Sequence, residues 1–98
     1  MADISINIQE TGNGWKGKVT VTEGGSTSSH SVTIKEEYYN KLTGGNYTPE
    51  HLLETSFEFL LAREPKESIL GQFDLPTISR YFPEYEKKIG QLLQRKYG

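Results

Sequence analysis

The sequence predicts an α+β fold: a three-stranded antiparallel meander, then a C-terminal cluster of helices, with one central helix packed on the sheet. Two observations carry this. All three valines and four of the seven isoleucines fall in residues 1–48, whereas eight of the nine leucines and all four phenylalanines fall in 49–98. β-Branched side chains suit pleated strands and unbranched leucine suits helices. The period of the apolar pattern also changes, from two in the first 35 residues to helical spacing afterwards.

The first strand is set by Ile4, Ile6 and Ile8 alternating with Ser5 and Asn7. Thr11-Gly12-Asn13-Gly14 reads as a hairpin turn in which Asn and Gly supply positive φ. Trp15, Gly17, Val19 and Val21 form one face of the second strand, and Lys16, Lys18, Thr20 and Thr22 the other. Residues 23–29 read as a polar loop. The third strand turns His30, Val32 and Ile34 inward and leaves Ser31, Thr33 and Lys35 on a wet face.

Residues 36–42 are expected to form a short helix ended by Gly44-Gly45. Thr48-Pro49-Glu50 starts the central helix, with Thr as N-cap, Pro at the first position and an acid in the first turn. That helix is expected to run to about Arg63, before Pro65. Its broad apolar surface includes Leu53, Phe57, Leu60 and Leu61, widened by Leu52, Ser56 and Phe59. Short helices are predicted at 66–73 and from Asp74-Leu75-Pro76 to about Phe82. A last helix begins at Pro83, with Tyr85, Ile89 and Leu92 or Leu93 at helical spacing. At 98 residues the chain is one domain's worth, 1–35 strands and 36–98 mainly helical.

Composition excludes several functions. There is no cysteine, hence no disulfide, thiolate metal site or cysteine nucleophile. A net charge of -2 argues against a chain built to coat phosphate. No apolar run spans a membrane and the start lacks a signal-peptide pattern, so a cytoplasmic location and no membrane contact are expected. Apolar residues plus glycine, tyrosine left out, are about 38% of the chain, below the roughly 45–50% of an average domain. A core so thin would gain from a protein partner or a second subunit.

Each motif has a plainer reading. Gly12 to Lys18 matches part of a phosphate-binding loop, but Val19 stands where that loop needs Ser or Thr, and a strand follows instead of a helix. His51, Glu54 and Glu58 share a helical face, yet a stable metal site needs ligands from a second element, so no metal or cofactor is assigned. His30 follows Ser26, Ser28 and Ser29, which in a flexible loop would not be preorganised for hydrolysis. The basic tail, Lys87-Lys88 and Arg95-Lys96, suits the C-terminal end of a helix dipole. Residues 66–82 resemble a helix-turn-helix whose second helix would offer Thr77, Ser79 and Arg80 to nucleic acid, but Pro83 cuts that helix short.

Six tyrosines bring bulk and a hydroxyl, a combination enriched at interfaces. The sequence therefore predicts a non-enzymatic cytoplasmic protein-interaction module, with self-association as one form of it. Tyr38, Tyr39 and Tyr81 are candidate contacts, together with Arg80, Thr77 and Ser79. The alternative is a nucleic-acid-associated regulatory protein using 66–82.

Two resemblances accompany these readings. Ser56 to Leu70, followed by Phe73-Asp74-Leu75 and Ile78 to Tyr85, resembles a group of small uncharacterised prokaryotic proteins over most of residues 30–90. It implies a short stand-alone cytoplasmic protein and carries over no catalytic residue. Pro49-Glu50-His51-Leu52-Leu53, after an antiparallel sheet, is similar to a helix of the osmotically induced and organic-hydroperoxide-resistance proteins. Their peroxidase chemistry uses two cysteines, and none is present here.

Overall fold

The computed structural model describes residues 2–98 and has the α+β class the sequence predicts. Strands β1 (Asp3–Thr11), β2 (Gly14–Glu23) and β3 (Ser26–Lys35) form the antiparallel meander. Ile6 lies opposite Val19, and Val19 opposite His30. The valines, His30 and Ile34 are buried, while Lys16, Lys18 and Lys35 on the other face are exposed.

The expected polar loop at 23–29 shrinks to a two-residue turn. Gly24 and Gly25 take φ of 61° and 82°, the left-handed values that let a tight turn match strand twist. Ser26 to Ser29 are therefore strand residues. The turn at 12–13 departs from expectation too, because Asn13 does not adopt positive φ.

The sheet has a fourth strand, β4 (Gln72–Asp74), parallel to β3 with Phe73 opposite Val32. This corrects two expectations: three strands only, and a helix over 66–73. The segment instead makes a 3-10 turn at Lys66–Ser68 and then extends. The cause lies outside it. The Ser31 N–H and Thr33 carbonyl point off the meander, and burying them unpaired would be costly. Ser31 N–H donates to the Gly71 carbonyl at 2.8 Å, and Leu75 N–H donates to the Thr33 carbonyl at 2.9 Å. Phe73 and Leu75 are buried while Gln72 and Asp74 are exposed, the alternation of a strand.

Helix α1 (Glu36–Thr43) ends at Gly44, whose φ of 63° lets its N–H reach the Asn40 carbonyl. Helix α2 (Pro49–Leu61) starts as expected, the Thr48 hydroxyl accepting from the His51 N–H at 3.0 Å. It stops at Leu61 instead of Arg63. Helix α3 (Thr77–Tyr81) is one short turn and a half, and α4 (Tyr85–Tyr97) closes the chain.

α2 lies on β1 and β2, α1 on β2 and β3, and α4 packs against both helices. Leu53 seats over Gly17, where a Cβ would fall 2.2 Å from its Cδ1. Phe57, Leu52 and Leu53 are fully buried, as are Tyr85, Ile89 and Leu93 of α4. Tyr85 tolerates this because its hydroxyl donates to the Ser56 Oγ at 2.6 Å, and that hydroxyl donates on to the Leu52 carbonyl. Burial raises the Tyr85 pKa far above the ordinary tyrosine value. Among the described residues, no helix is long and apolar enough to cross a membrane.

Candidate functional site

A surface pocket of about 150 Å³ opens between the C-terminal end of α2, the segment leading into β4, and α3. Leu60, Ile69, Phe73 and Ile78, all buried residues, line its apolar floor and walls. Phe82 closes one side, its ring edge-on to Phe59 at 5.9 Å. Glu64, Ser68 and Thr77 are the polar members of the lining. They make no hydrogen bond to one another among the described residues. A cavity of this size takes a group about as large as benzene.

Two residues of the lining stand out in the water. Leu70 is 46% exposed and Tyr81 66% exposed, the large apolar residues most open to solvent among those described. Isolated exposed apolar side chains are ordinary; these two flank an apolar cavity.

The sequence candidates divide. Thr77 and Tyr81 line the pocket. Arg80 is exposed beside them and forms no ion pair among the described residues. Ser79 turns its hydroxyl to the Pro76 carbonyl at 2.8 Å and lies beside the Tyr38 hydroxyl. Tyr38 is half-buried and donates to Glu86 at 2.9 Å. Burial, then the Glu86 carboxylate, raises its pKa above the ordinary tyrosine value. Hydrogen bonds from Lys41 and then Tyr38 hold Glu86 below the usual carboxylate range, Lys41 Nζ lying 3.0 Å away. Tyr39 donates to the Tyr47 carbonyl and packs edge-on to Trp15 at 4.8 Å. Tyr38 thus ties α1 to α4, and Tyr39 ties α1 to the loop before α2.

The pocket residues Leu70, Ile69 and Phe73 were not legible as a site, because a helix over 66–73 would have turned them toward the core. The helix-turn-helix reading fails for the same reason. Its first helix is a 3-10 turn followed by a strand, and its second spans five residues.

Ser28 is not in a loop. Its Oγ lies 2.8 Å from His30 Nε2, and His30 Nδ1 lies 2.8 Å from the Leu70 carbonyl. A carbonyl can only accept, so Nδ1 carries a proton. With a neutral ring, Nε2 then accepts from the Ser28 hydroxyl. The proton order resembles that of a nucleophile and base. Yet His30 is 3% exposed against the Phe57 ring, and Ser28 does not line the pocket. The pair stitches β3 to the segment before β4.

The His51, Glu54 and Glu58 face is occupied from within. Lys96 Nζ sits 3.2 Å from Glu54 and 2.5 Å from Glu58, and the His51 ring stacks on Tyr97 at 3.8 Å.

Comparison of the chain with protein-family models, curated proteins and solved structures yields no match. The role of the pocket therefore rests on its own geometry.

Proposed function

We propose that the protein is a non-enzymatic cytoplasmic interaction module that seats one large apolar side chain of a partner protein in the pocket beside α3. The observation that supports this is an apolar cavity with Leu70 and Tyr81 left in solvent at its rim. Tyrosine is enriched among binding hot spots, and a partner seated here would desolvate the Tyr81 ring. The partner chemistry that fits is a short amphipathic segment with a single Leu, Met or Phe anchor. Ser68 and Thr77 supply hydroxyls, and Arg80 a cation, for the polar rim of such a contact.

The experiment is a selection from a displayed peptide library, followed by titration of the winners against Tyr81→Ser and Leu70→Ser. Selected peptides should share an apolar anchor. Each substitution should weaken binding about 10-fold or more, roughly 1.4 kcal/mol. Because both side chains are exposed, folding stability should move by less than about 0.5 kcal/mol. Peptides that bind both variants as tightly as the wild type would overturn the reading.

A further inference from the structure

The sheet carries a second unfinished surface, at the edge opposite the pocket. β1 forms that edge, and among the described residues nothing pairs with its outer side. It is nine residues long, and its register against β2 runs from Asp3↔Thr22 to Thr11↔Gly14 without a bulge. It contains neither lysine nor proline. Natural edge strands are usually shortened, bulged, or guarded by such residues against pairing.

The direction of its free groups follows from the ladder. Ser31 and Thr33 bond outward to the β4 side, so the even-numbered residues of β3 bond to β2. Alternation along antiparallel strands then makes the odd-numbered residues of β1 bond to β2. The N–H and C=O of Ile4, Ile6 and Ile8 therefore face away from the sheet. Their side chains lie on the helix-covered face but are only partly buried, whereas Val19 and Val21 beside them are fully buried.

We propose that β1 pairs antiparallel with β1 of a second copy of this chain, across a two-fold axis at Ile6. The sequence of the strand is self-complementary in that register. Ile6 falls opposite Ile6, Ile4 opposite Ile8, Ser5 opposite Asn7 and Asp3 opposite Gln9. Glu10 falls opposite Ala2, so no two carboxylates meet. Sliding the partner by two residues one way sets Glu10 against Ile4, and the other way sets Ile8 against Ala2. Sliding by one turns the partner's isoleucines to the wet face. A two-fold axis normal to the sheet keeps both helix layers on one side, so six isoleucines form one apolar strip along the joint. The second copy extends the core on the side where Ile4, Ile6 and Ile8 are only partly buried. This surface is separate from the pocket and does not depend on it.

The absence of cysteine makes the register directly testable. Ser5 and Asn7 would face each other as a pair that shares no hydrogen bond, the closer kind, at a spacing a disulfide can bridge. An oxidised mixture of Ser5→Cys and Asn7→Cys chains should cross-link to a covalent dimer, and neither variant alone should do so efficiently. The wild type should sediment at twice the 11.1 kDa chain mass. Ser5→Lys with Asn7→Lys sets like charges opposite on an exposed face, and should give a folded monomer by circular dichroism and sedimentation. A wild type that stays monomeric at its highest soluble concentration would overturn the proposal. So would a dimer that survives the lysine pair, or cross-linking that ignores which positions are mixed. Tyr81→Ser should leave the dimer intact, which separates this outcome from failure of the pocket.

Discussion

The two edges of the sheet are finished by opposite means. At one edge a three-residue strand, β4, takes up the outward groups of Ser31 and Thr33 and is tied in by the His30–Leu70 hydrogen bond and by Phe73 beside the Phe57 ring. At the other, a nine-residue strand ends the sheet with its outward groups free. The middle of the first edge is covered by the chain's own later residues, with Ser26 to His30 of β3 left outside the β4 pairing, and the pocket lies beside that cover. The second is closed, in our proposal, by the same edge of another copy. One edge therefore depends on long-range contacts within the fold, and the other depends on concentration.

The largest effect should come from cutting the β4 side at its base. Phe57 is fully buried, with its ring 5.3 Å from His30 and 6.2 Å from Phe73. Phe57→Ala should cost roughly 3–5 kcal/mol in denaturant unfolding. A loss under about 1 kcal/mol would mean that α2 does not hold this edge.

The same contrast explains what could be read from the sequence. The hairpins and α2 rest on local signals: period-two isoleucines and valines, Thr48-Pro49 at a helix start, Gly44 at a helix end. β4 rests on a non-local need, two β3 groups facing off the meander. Nothing within Gln72-Phe73-Asp74 states that need, although its alternation with Leu75 was visible. The Ser28–His30–Leu70 stitch joins groups 40 residues apart, so spacing along the chain could not reveal it. Of the pocket, Thr77 and Tyr81 were found as candidates. Leu70 was not, since its exposure follows from the extended backbone after the 3-10 turn. The tyrosines, counted together as interface candidates in the sequence, divide in the structure: Tyr38, Tyr39 and Tyr97 anchor their hydroxyls within the protein, and Tyr81 is exposed.

On the β1 side the informative change is an addition. A Cβ at Gly17 would fall 2.2 Å from Leu53 Cδ1 and 3.2 Å from Ile8 Cδ1. Leu53 is fully buried, so it must change rotamer or α2 must lift from β2, and Ile8 at the end of β1 must give by a few tenths of an ångström. Gly17→Ala should cost about 1–3 kcal/mol from overpacking, reduced slightly by the stiffer unfolded chain. It should also weaken the dimer, while hydrogen exchange at the Ser31 and Leu75 amides stays slow. Faster exchange there would show that the two edges are coupled through the sheet.

The smallest change tests whether Ser28 holds an edge or waits for a substrate. Ser28→Ala removes the hydroxyl hydrogen-bonded to His30 Nε2 and leaves Nδ1 bonded to Leu70. The loss should be about 0.5–1.5 kcal/mol, one net hydrogen bond. If the pair is a stitch, exchange should quicken at the Ser31 and Leu75 amides, which carry the β3–β4 bonds. The Ser5 and Asn7 amides, bonded to β2, should be untouched. A nucleophile poised on a rigid base would behave differently, because removing it would leave exchange at both edges unchanged while abolishing reaction with a serine-directed phosphonate probe.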